Sequence, residues 1–212
     1  PFSVTVGTLM ERSHIKINVW LAAMHLMTSS KKGMSAHQMG RMLGVSYESA
    51  WFLCHRLREA MRSPVPAGGL GGKNKVVEVD ETFVGGKAKN VHRGKPEPKK
   101  HAVHALVERG GHVRATHVPN VSAKTLRKAI ANHVAKGTTM NTDDALAYYH
   151  MSKEFAAHGT VNHSQDEYVS KDGKTHIQSA EAFFAILKRS VMGSFHSVSE
   201  QHLQRYLDEF AF

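Results

Sequence analysis

The sequence is poor in cysteine and lacks long apolar runs. Cys54 is the single cysteine among 212 residues, which excludes an internal disulfide and a zinc site built from several cysteines of this chain. A lone thiol fits a reducing cytoplasm. No uncharged apolar run approaches the roughly 18 residues of a membrane span, and the first residues do not resemble a secretory signal. The chain also lacks an initiator methionine, so we expect a fragment or a processed product. From the lone cysteine and the lack of apolar runs we expect a cytoplasmic location and no membrane partner.

Acidic residues are scarce relative to basic ones. The chain has 28 Lys and Arg against 18 Asp and Glu, which gives a formal net charge of +10. Such an excess favours a polyanionic partner, most often nucleic acid, although an ordinary basic protein is the alternative. Hydrophobic residues make up 41% of the chain, enough for a packed core.

Three segments of the N-terminal third have apolar residues at helical spacing. We predict a helix over residues 14–28, a short helix capped by Ser35 and ending at Leu43, a tight turn at 44–46, and a helix from Tyr47 to about Met61. Two helices joined by such a turn predict a helix-turn-helix DNA-binding region over residues 1–63. We expect the second helix to expose basic side chains, with Arg56 and Arg58 as the main DNA contacts, beside His55 and Arg62. The alternative is a helical hairpin with a solvated basic face.

After a segment rich in glycine and proline, the spacing of apolar residues changes from that of helices to that of alternating strands and helices. Residues 64–75 read as a linker, and residues 76–212 as a second domain. Its predicted strands are 76–84, 101–108, 112–118, 138–142 and 160–163; its predicted helices are 123–135, 145–157, 178–192 and 199–210. The order β-β-β-α-β-α-β-α predicts an α/β fold, a ribonuclease H-like mixed sheet with helices on both faces.

Three acids fall where this topology converges on one edge of the sheet. Asp80 follows the apolar run of the first strand, Asp143 follows the fourth strand, and Glu181 lies on the helix after the fifth. Clustered carboxylates repel one another unless cations lie between them, and hard oxygen ligands suit Mg²⁺ or Mn²⁺. Two such ions, about 3.5–4 Å apart, activate a nucleophile and stabilise the leaving oxygen of a phosphodiester. Each acid has a solvated alternative; Asp144 competes with Asp143 but suits a helix cap, and Glu81 points to the other face of the strand.

Basic residues accompany these acids. Lys188 lies seven residues after Glu181 on the same helix face, where a lysine can contact the phosphate backbone, and Arg189 either does the same or is solvated. Residues 87–101 hold six basic residues against one acid, a net of +5: Lys87, Lys89, Arg93, Lys95, Lys99 and Lys100. We interpret this segment as an arm that lies on DNA phosphates; a solubilising loop is the alternative.

These motifs together resemble the transposases of bacterial insertion sequences with an ISXO-like DDE catalytic domain. The matching segments are GVSYESAWFLCHRLREAM, VVEVDETFVGGK, TDDALAYY, VNHSQDEYV, EAFFAILKR and HLQRYLDEF. The resemblance implies a ribonuclease H-like core, two divalent metal ions, and cutting and joining of duplex DNA at element ends and target. It carries the acidic triad onto Asp80, Asp143 and Glu181, with Asp80 bridging both ions. It also places His163 near the site, where a packed histidine is equally compatible.

Our first functional hypothesis is therefore a DNA transposase, associated with the bacterial nucleoid and acting as a homo-oligomer on DNA. A catalytically inactive DNA-binding protein descended from such an enzyme is the second. A ribonuclease H-like nuclease acting on RNA–DNA hybrids shares the metal site, but the helix-turn-helix favours duplex DNA.

Overall fold

The structure, a computed structural model, describes residues 3–62, 66, 68–86, 99–149, 154–162, 169–170 and 173–212. Within these ranges lie six α-helices: α1 (Ile17–Thr28), α2 (Ala36–Leu43), α3 (Tyr47–Ala60), α4 (Ala123–His133), α5 (Gln178–Ser190) and α6 (Glu200–Ala211). Five strands accompany them: β1 (Val76–Gly85), β2 (Lys100–Glu108), β3 (Val113–Val118), β4 (Thr139–Asp143) and β5 (Ala157–Val161). Every helix of the described ranges is too short or too polar to cross a membrane.

The chain forms two compact units. The described residues up to 62, together with 186–210 and 212, form what we call the helical unit. The described residues from 66 to 185, with Ala211, form the sheet unit. Residues 186–210 thus group with the N-terminal helices, whereas the predicted second domain spans residues 76–212.

The first helices of the helical unit begin and end at residues whose chemistry favours those boundaries. Ser35 accepts a hydrogen bond from the Gln38 amide, 3.2 Å away, and caps α2 as predicted. Gly44 ends α2 with φ of 64°, a left-handed conformation that costs glycine little. Ser46 then caps α3 through the Ser49 amide at 3.3 Å. The helix–turn–helix path of this segment is therefore set locally.

Helix α6 packs against α3, and this corrects the predicted exposure of two side chains. Arg58 is 2% exposed; its Nε donates to Glu209 Oε2 at 2.7 Å, and its guanidinium lies 4.0 Å from the Tyr206 ring centroid. His55 is 5% exposed and contacts the His202 ring. The prediction that α3 presents Arg58 and His55 to DNA is wrong, because both side chains pack against α6. Arg62 is exposed and Arg56 is partly buried.

The sheet unit contains a five-stranded mixed sheet in the order β3-β2-β1-β4-β5. The pairs β1–β2 and β2–β3 are antiparallel, and the pairs β1–β4 and β4–β5 are parallel. This arrangement confirms the predicted α/β class and is consistent with a ribonuclease H-like transposase domain. The central strand β1 carries the acids of the candidate site.

Side chains of β1 alternate between two environments. Val77 and Val79 lie in the core that α4 covers with Leu126 and Ile130. Because successive side chains of a strand point to opposite faces, Glu78 and Asp80 share the other face. This alternation separates Asp80 from Glu81.

The predicted helix over residues 145–157 is wrong. A single 3₁₀ turn spans Leu146–Tyr148, and residues 150–153 lie outside the described ranges. Strand β5 (Ala157–Val161) pairs in parallel with β4 (Thr139–Asp143). The fifth strand therefore begins at Ala157, which the sequence predicted as the last residue of the helix. Pairing along the edge of the sheet outweighs local helix propensity in this segment.

The second half of the predicted linker packs on the sheet unit. Leu70 is 1% exposed and forms a bridge with Val134, and the Gly71 amide donates to Glu108 Oε2 at 2.9 Å. The basic arm falls mostly outside the described residues, as do Lys87, Lys89, Arg93 and Lys95. His163 also lies outside them.

Candidate active site

Asp80 and Asp143 occupy matching positions on neighbouring parallel strands. The β1–β4 ladder pairs Val76 with Thr139, Val77 with Met140 and Glu78 with Asn141. The ladder ends at the pair Glu78 and Asn141, and its register, continued by two residues, aligns Asp80 with Asp143. Both aspartates are partly buried. By this register, two of the three predicted acids lie on the same face of neighbouring strands.

Asp143 and Asp144 differ in their surroundings. Asp143 is the last residue of β4, and its Oδ1 accepts a hydrogen bond from the Ala145 amide at 3.2 Å. Asp144 is exposed and lies after the strand. The predicted capping role of Asp144 loses its basis, since the residues directly after it form the 3₁₀ turn Leu146–Tyr148 and not an α-helix. The arrangement favours Asp143 as the second acid.

Glu181 lies in the first turn of α5, and this turn is fastened to β1 by a buried acid. Glu78 is 0% exposed and accepts hydrogen bonds from the Ser179 amide at 2.7 Å and the Ala180 amide at 3.1 Å. A carboxylate at a helix N-terminus satisfies amides that lack partners within the helix and complements the helix dipole. Since Glu78 lies two residues before Asp80 on the same face, the N-terminus of α5 lies on the side of the sheet that carries both aspartates.

Arg109 and Asn141 complete this anchor. Arg109 Nε donates to Glu78 Oε1 at 2.6 Å, and its two terminal nitrogens donate to the carbonyls of Lys174 and His176 at 2.9 and 3.0 Å. Asn141 Nδ2 donates to the His176 carbonyl at 3.1 Å. The segment that leads into α5 is therefore fixed to β1 and β4 by side chains.

Glu78, Arg109 and Asn141 are not among the site residues predicted from the sequence. One signal was present, because Glu78 interrupts an apolar run on a central strand, where a buried acid requires partners. Its partners lie 31 residues away at Arg109 and 101 residues away at Ser179. Such separations leave no mark in the sequence pattern.

Glu81 lies on the opposite face of β1 from Asp80, and its largely buried side chain lies beside Tyr148 and His104. Burial raises the pKa of Glu81 to about 7; the charges of Asp80 and Asp143 also raise it, while a hydrogen bond from Tyr148 opposes the rise. His104 Nε2 lies 3.7 Å from Glu81 Oε1, and burial lowers the pKa of this histidine to about 4. The influence of both aspartates on Glu81 agrees with their proximity to each other.

The predicted phosphate contacts that the structure describes are accessible. Lys188 and Arg189 are exposed in the last turn of α5, and Glu181 is exposed in its first turn. Lys99 and Lys100 are exposed where the chain enters β2. Gly85, with φ of 153°, pairs with Lys100, and a Cβ on Gly85 would lie 2.5 Å from the Lys99 carbonyl oxygen. Glycine at this position therefore allows the backbone of the basic segment to approach β1.

Comparison with known proteins agrees with this geometry. The sequence model of a transposase family, described as the ISXO2-like transposase domain, matches residues 69–212. No protein of curated function matches the chain. The matched range covers all five strands of the sheet and the helices α4, α5 and α6. The chain therefore belongs to the ISXO2-like transposase domain family, which supports a transposase role for it.

Proposed function

We propose that this protein is a DNA transposase that cleaves phosphodiester bonds at the ends of an insertion sequence and joins the freed ends to target DNA. The observation that carries the proposal is the register of β1 and β4, which supports Asp80 and Asp143 as a pair. The anchoring of α5 by Glu78 supports Glu181 as the third acid on the same side of the sheet.

The donor chemistry of this site fits Mg²⁺ or Mn²⁺. Asp80, Asp143 and Glu181 offer carboxylate oxygens, the hard ligands that these cations prefer over imidazole or thiolate. When bound, such cations promote deprotonation of an attacking water or hydroxyl and stabilise charge that develops on phosphate oxygens. Partial burial of both aspartates strengthens their attraction for a cation relative to bulk water.

The reaction consists of two phosphoryl transfers. In the first, a water oxygen bonds to phosphorus, the bond from phosphorus to the 3′ oxygen breaks, and a proton ends on that 3′ oxygen. In the second, the freed 3′-hydroxyl bonds to a target phosphorus, displaces the target 3′ oxygen and transfers its proton to it. The chain must therefore hold the phosphodiester beside its acids, which are themselves repelled by phosphate.

Basic side chains oppose that repulsion. Lys188, Arg189, Lys99 and Lys100 are exposed, and each phosphate that they neutralise releases condensed counterions. Lys87, Lys89, Arg93 and Lys95 extend the same role along the basic arm. In the helical unit, Arg56 stays a candidate DNA contact, although its Nη1 also donates to the Glu11 carbonyl at 3.3 Å. Arg58 is not proposed, since it is buried.

The test is Mn²⁺-dependent cleavage of labelled duplex DNA that contains the sequence flanking the gene. Asp80→Asn, Asp143→Asn and Glu181→Gln remove one candidate ligand charge each. Asp144→Asn is a matched control, because it removes the same charge from the next residue, which is exposed. We expect cleavage at a defined site in the intact chain and in the control, and its loss in the other three variants.

Other outcomes distinguish the alternatives. Equal cleavage by every variant would mean that the nuclease is a contaminant or that the site lies elsewhere. Salt-sensitive DNA binding without any cleavage would indicate a DNA-binding descendant of a transposase. Loss of cleavage in Asp144→Asn with retention in Asp143→Asn would exchange the roles of these two acids.

A further inference from the structure

The two strands that carry Asp80 and Asp143 lose their backbone connection before they reach these residues. The parallel β1–β4 ladder ends at the pair Glu78 and Asn141, whereas β1 continues to Gly85 along β2 and β4 continues to Asp143 along β5. Ladder hydrogen bonds normally set the spacing of neighbouring strands. Beyond Glu78, the spacing between these two strands has to be set by something else.

A side-chain hydrogen bond bridges the strands at this level. The Tyr148 hydroxyl donates to Glu81 Oε1. Tyr148 is 1% exposed and ends the 3₁₀ turn that follows Asp143, and its ring packs in the core with Leu126 and Ile130. The bond therefore ties the turn after β4 to the residue that follows Asp80 on β1.

Each aspartate is in turn held by the backbone of the segment that this bond connects. The Glu81 amide donates to Asp80 Oδ1 at 2.7 Å. The Ala145 amide donates to Asp143 Oδ1 at 3.2 Å. Displacement of Glu81 would therefore reorient the Asp80 carboxylate, and displacement of the turn would reorient that of Asp143.

We propose that Tyr148 is a positioning residue, whose hydrogen bond to Glu81 sets the separation and orientation of Asp80 and Asp143 for divalent cation binding. The inference rests on the proposed function to the extent that these two aspartates bind the cation. Burial makes the bond effective, because a hydrogen bond shielded from water is stronger than one that is exposed to it.

The first experiment measures Mn²⁺ binding to the full chain without DNA, by calorimetry and by the electron paramagnetic resonance spectrum of bound Mn²⁺. Asp80→Asn identifies the portion of binding that belongs to this site. Tyr148→Phe removes the hydroxyl and keeps the ring. We expect roughly tenfold weaker Mn²⁺ binding, since loss of residues that orient metal ligands typically costs 10–100-fold. The matched control is Tyr149→Phe, which removes the hydroxyl of the adjacent ring, 74% exposed.

The melting temperature without metal separates positioning from folding. A positioning role predicts that Tyr148→Phe keeps a cooperative melting transition while Mn²⁺ affinity falls and the spectrum of the bound ion changes. If the affinity of Tyr148→Phe equals that of Tyr149→Phe and of the unmodified chain, the inference is refuted.

A second pair of variants covers the case in which Tyr148→Phe fails to fold. Glu81→Gln keeps an oxygen that accepts the Tyr148 hydroxyl, whereas Glu81→Leu keeps the bulk and removes the acceptor. We expect Glu81→Gln to bind Mn²⁺ more tightly than Glu81→Leu, and equal affinities would overturn the inference.

Failure of the inference and failure of the proposed function have different signatures. Mn²⁺ binding that depends on Asp80 but not on Tyr148 overturns the positioning role alone. Mn²⁺ binding that depends on both, without DNA cleavage, keeps the positioning role and contradicts the transposase proposal. Binding that depends on neither contradicts both.

Discussion

Replacing Glu78 with glutamine tests the anchor between β1 and α5. Glu78 is fully buried, and its carboxylate accepts hydrogen bonds from Arg109, from the Ser179 hydroxyl, and from the amides of Ser179 and Ala180. Glutamine offers one acceptor oxygen and turns an NH₂ group toward these donors. The Arg109 side chain, 26% exposed, is left without its charge partner.

The expected cost follows from the burial of this pair. Removing one partner of a buried ion pair typically destabilises a protein by about 3–5 kcal/mol, because the other charge stays desolvated. Partial exposure of Arg109 favours the lower end of that range. We therefore expect Glu78→Gln to lower the unfolding free energy of the sheet unit by about 3 kcal/mol.

The assay must report on the sheet unit. Both tryptophans, Trp20 and Trp51, lie in the helical unit, so their fluorescence does not follow it directly. Urea unfolding by circular dichroism, combined with hydrogen exchange of the Ser179 and Ala180 amides, reports on the sheet and on the anchor. Asp144→Asn is the control, with an expected change within about 0.5 kcal/mol for an exposed side chain. A change below about 1 kcal/mol in Glu78→Gln, with unaltered exchange of both amides, would show that Glu78 does not hold α5 in place.

Three further predictions concern the helical unit and the basic arm. Arg58→Ala leaves the Glu209 carboxylate buried without its partner, and we expect tryptophan fluorescence to show a loss of about 3–5 kcal/mol from the helical unit; a loss under about 1 kcal/mol would contradict this. Burial, followed by the charge of Arg58, lowers the pKa of His55 from 6.5 to about 4. The unfolded chain therefore binds the proton more tightly, and the stability of the helical unit should fall from pH 6.5 toward pH 4, by at most about 1.4 kcal/mol per pH unit; an equal slope in His55→Phe would argue against this source. Replacing Lys99 and Lys100 with alanine should weaken DNA binding and reduce the slope of log affinity against log salt by about 0.9 for each lost phosphate contact; an unchanged slope would exclude these two lysines from the interface.

Features encoded by neighbouring residues could be predicted from the sequence. Ser35 and Gly44 mark the ends of α2 by capping chemistry that acts over a few residues, and the structure follows them. The valines around Glu78 were sufficient to predict the strand β1 and the alternation of its side chains between the two faces of the sheet. The order of the predicted elements placed Asp80 on the first strand and Asp143 just past the fourth, whereas the structure makes Asp143 the last residue of β4.

Features that depend on distant partners could not be predicted in this way. Residues 145–157 have a helical pattern, but Ala157, the last of them, pairs with the edge of β4 and begins strand β5. Arg58 looks like a surface residue until Glu209, 151 positions later, supplies a buried partner. The link between Tyr148 and Glu81 likewise joins residues 67 positions apart, and such pairs are visible only once the chain has folded.

The packing of α6 on α3 also has a consequence for the order in which the protein is made. Arg58 acquires its partner Glu209 only after 151 further residues have been synthesised, which takes roughly 8 to 30 seconds at 5–20 residues per second. All five strands lie between these two residues, so the whole sheet leaves the ribosome while Arg58 still lacks its partner. During this interval Arg58 and His55 lack the α6 side chains that they contact in the finished protein, so a chaperone or DNA would meet a different surface from the one that the finished helical unit presents.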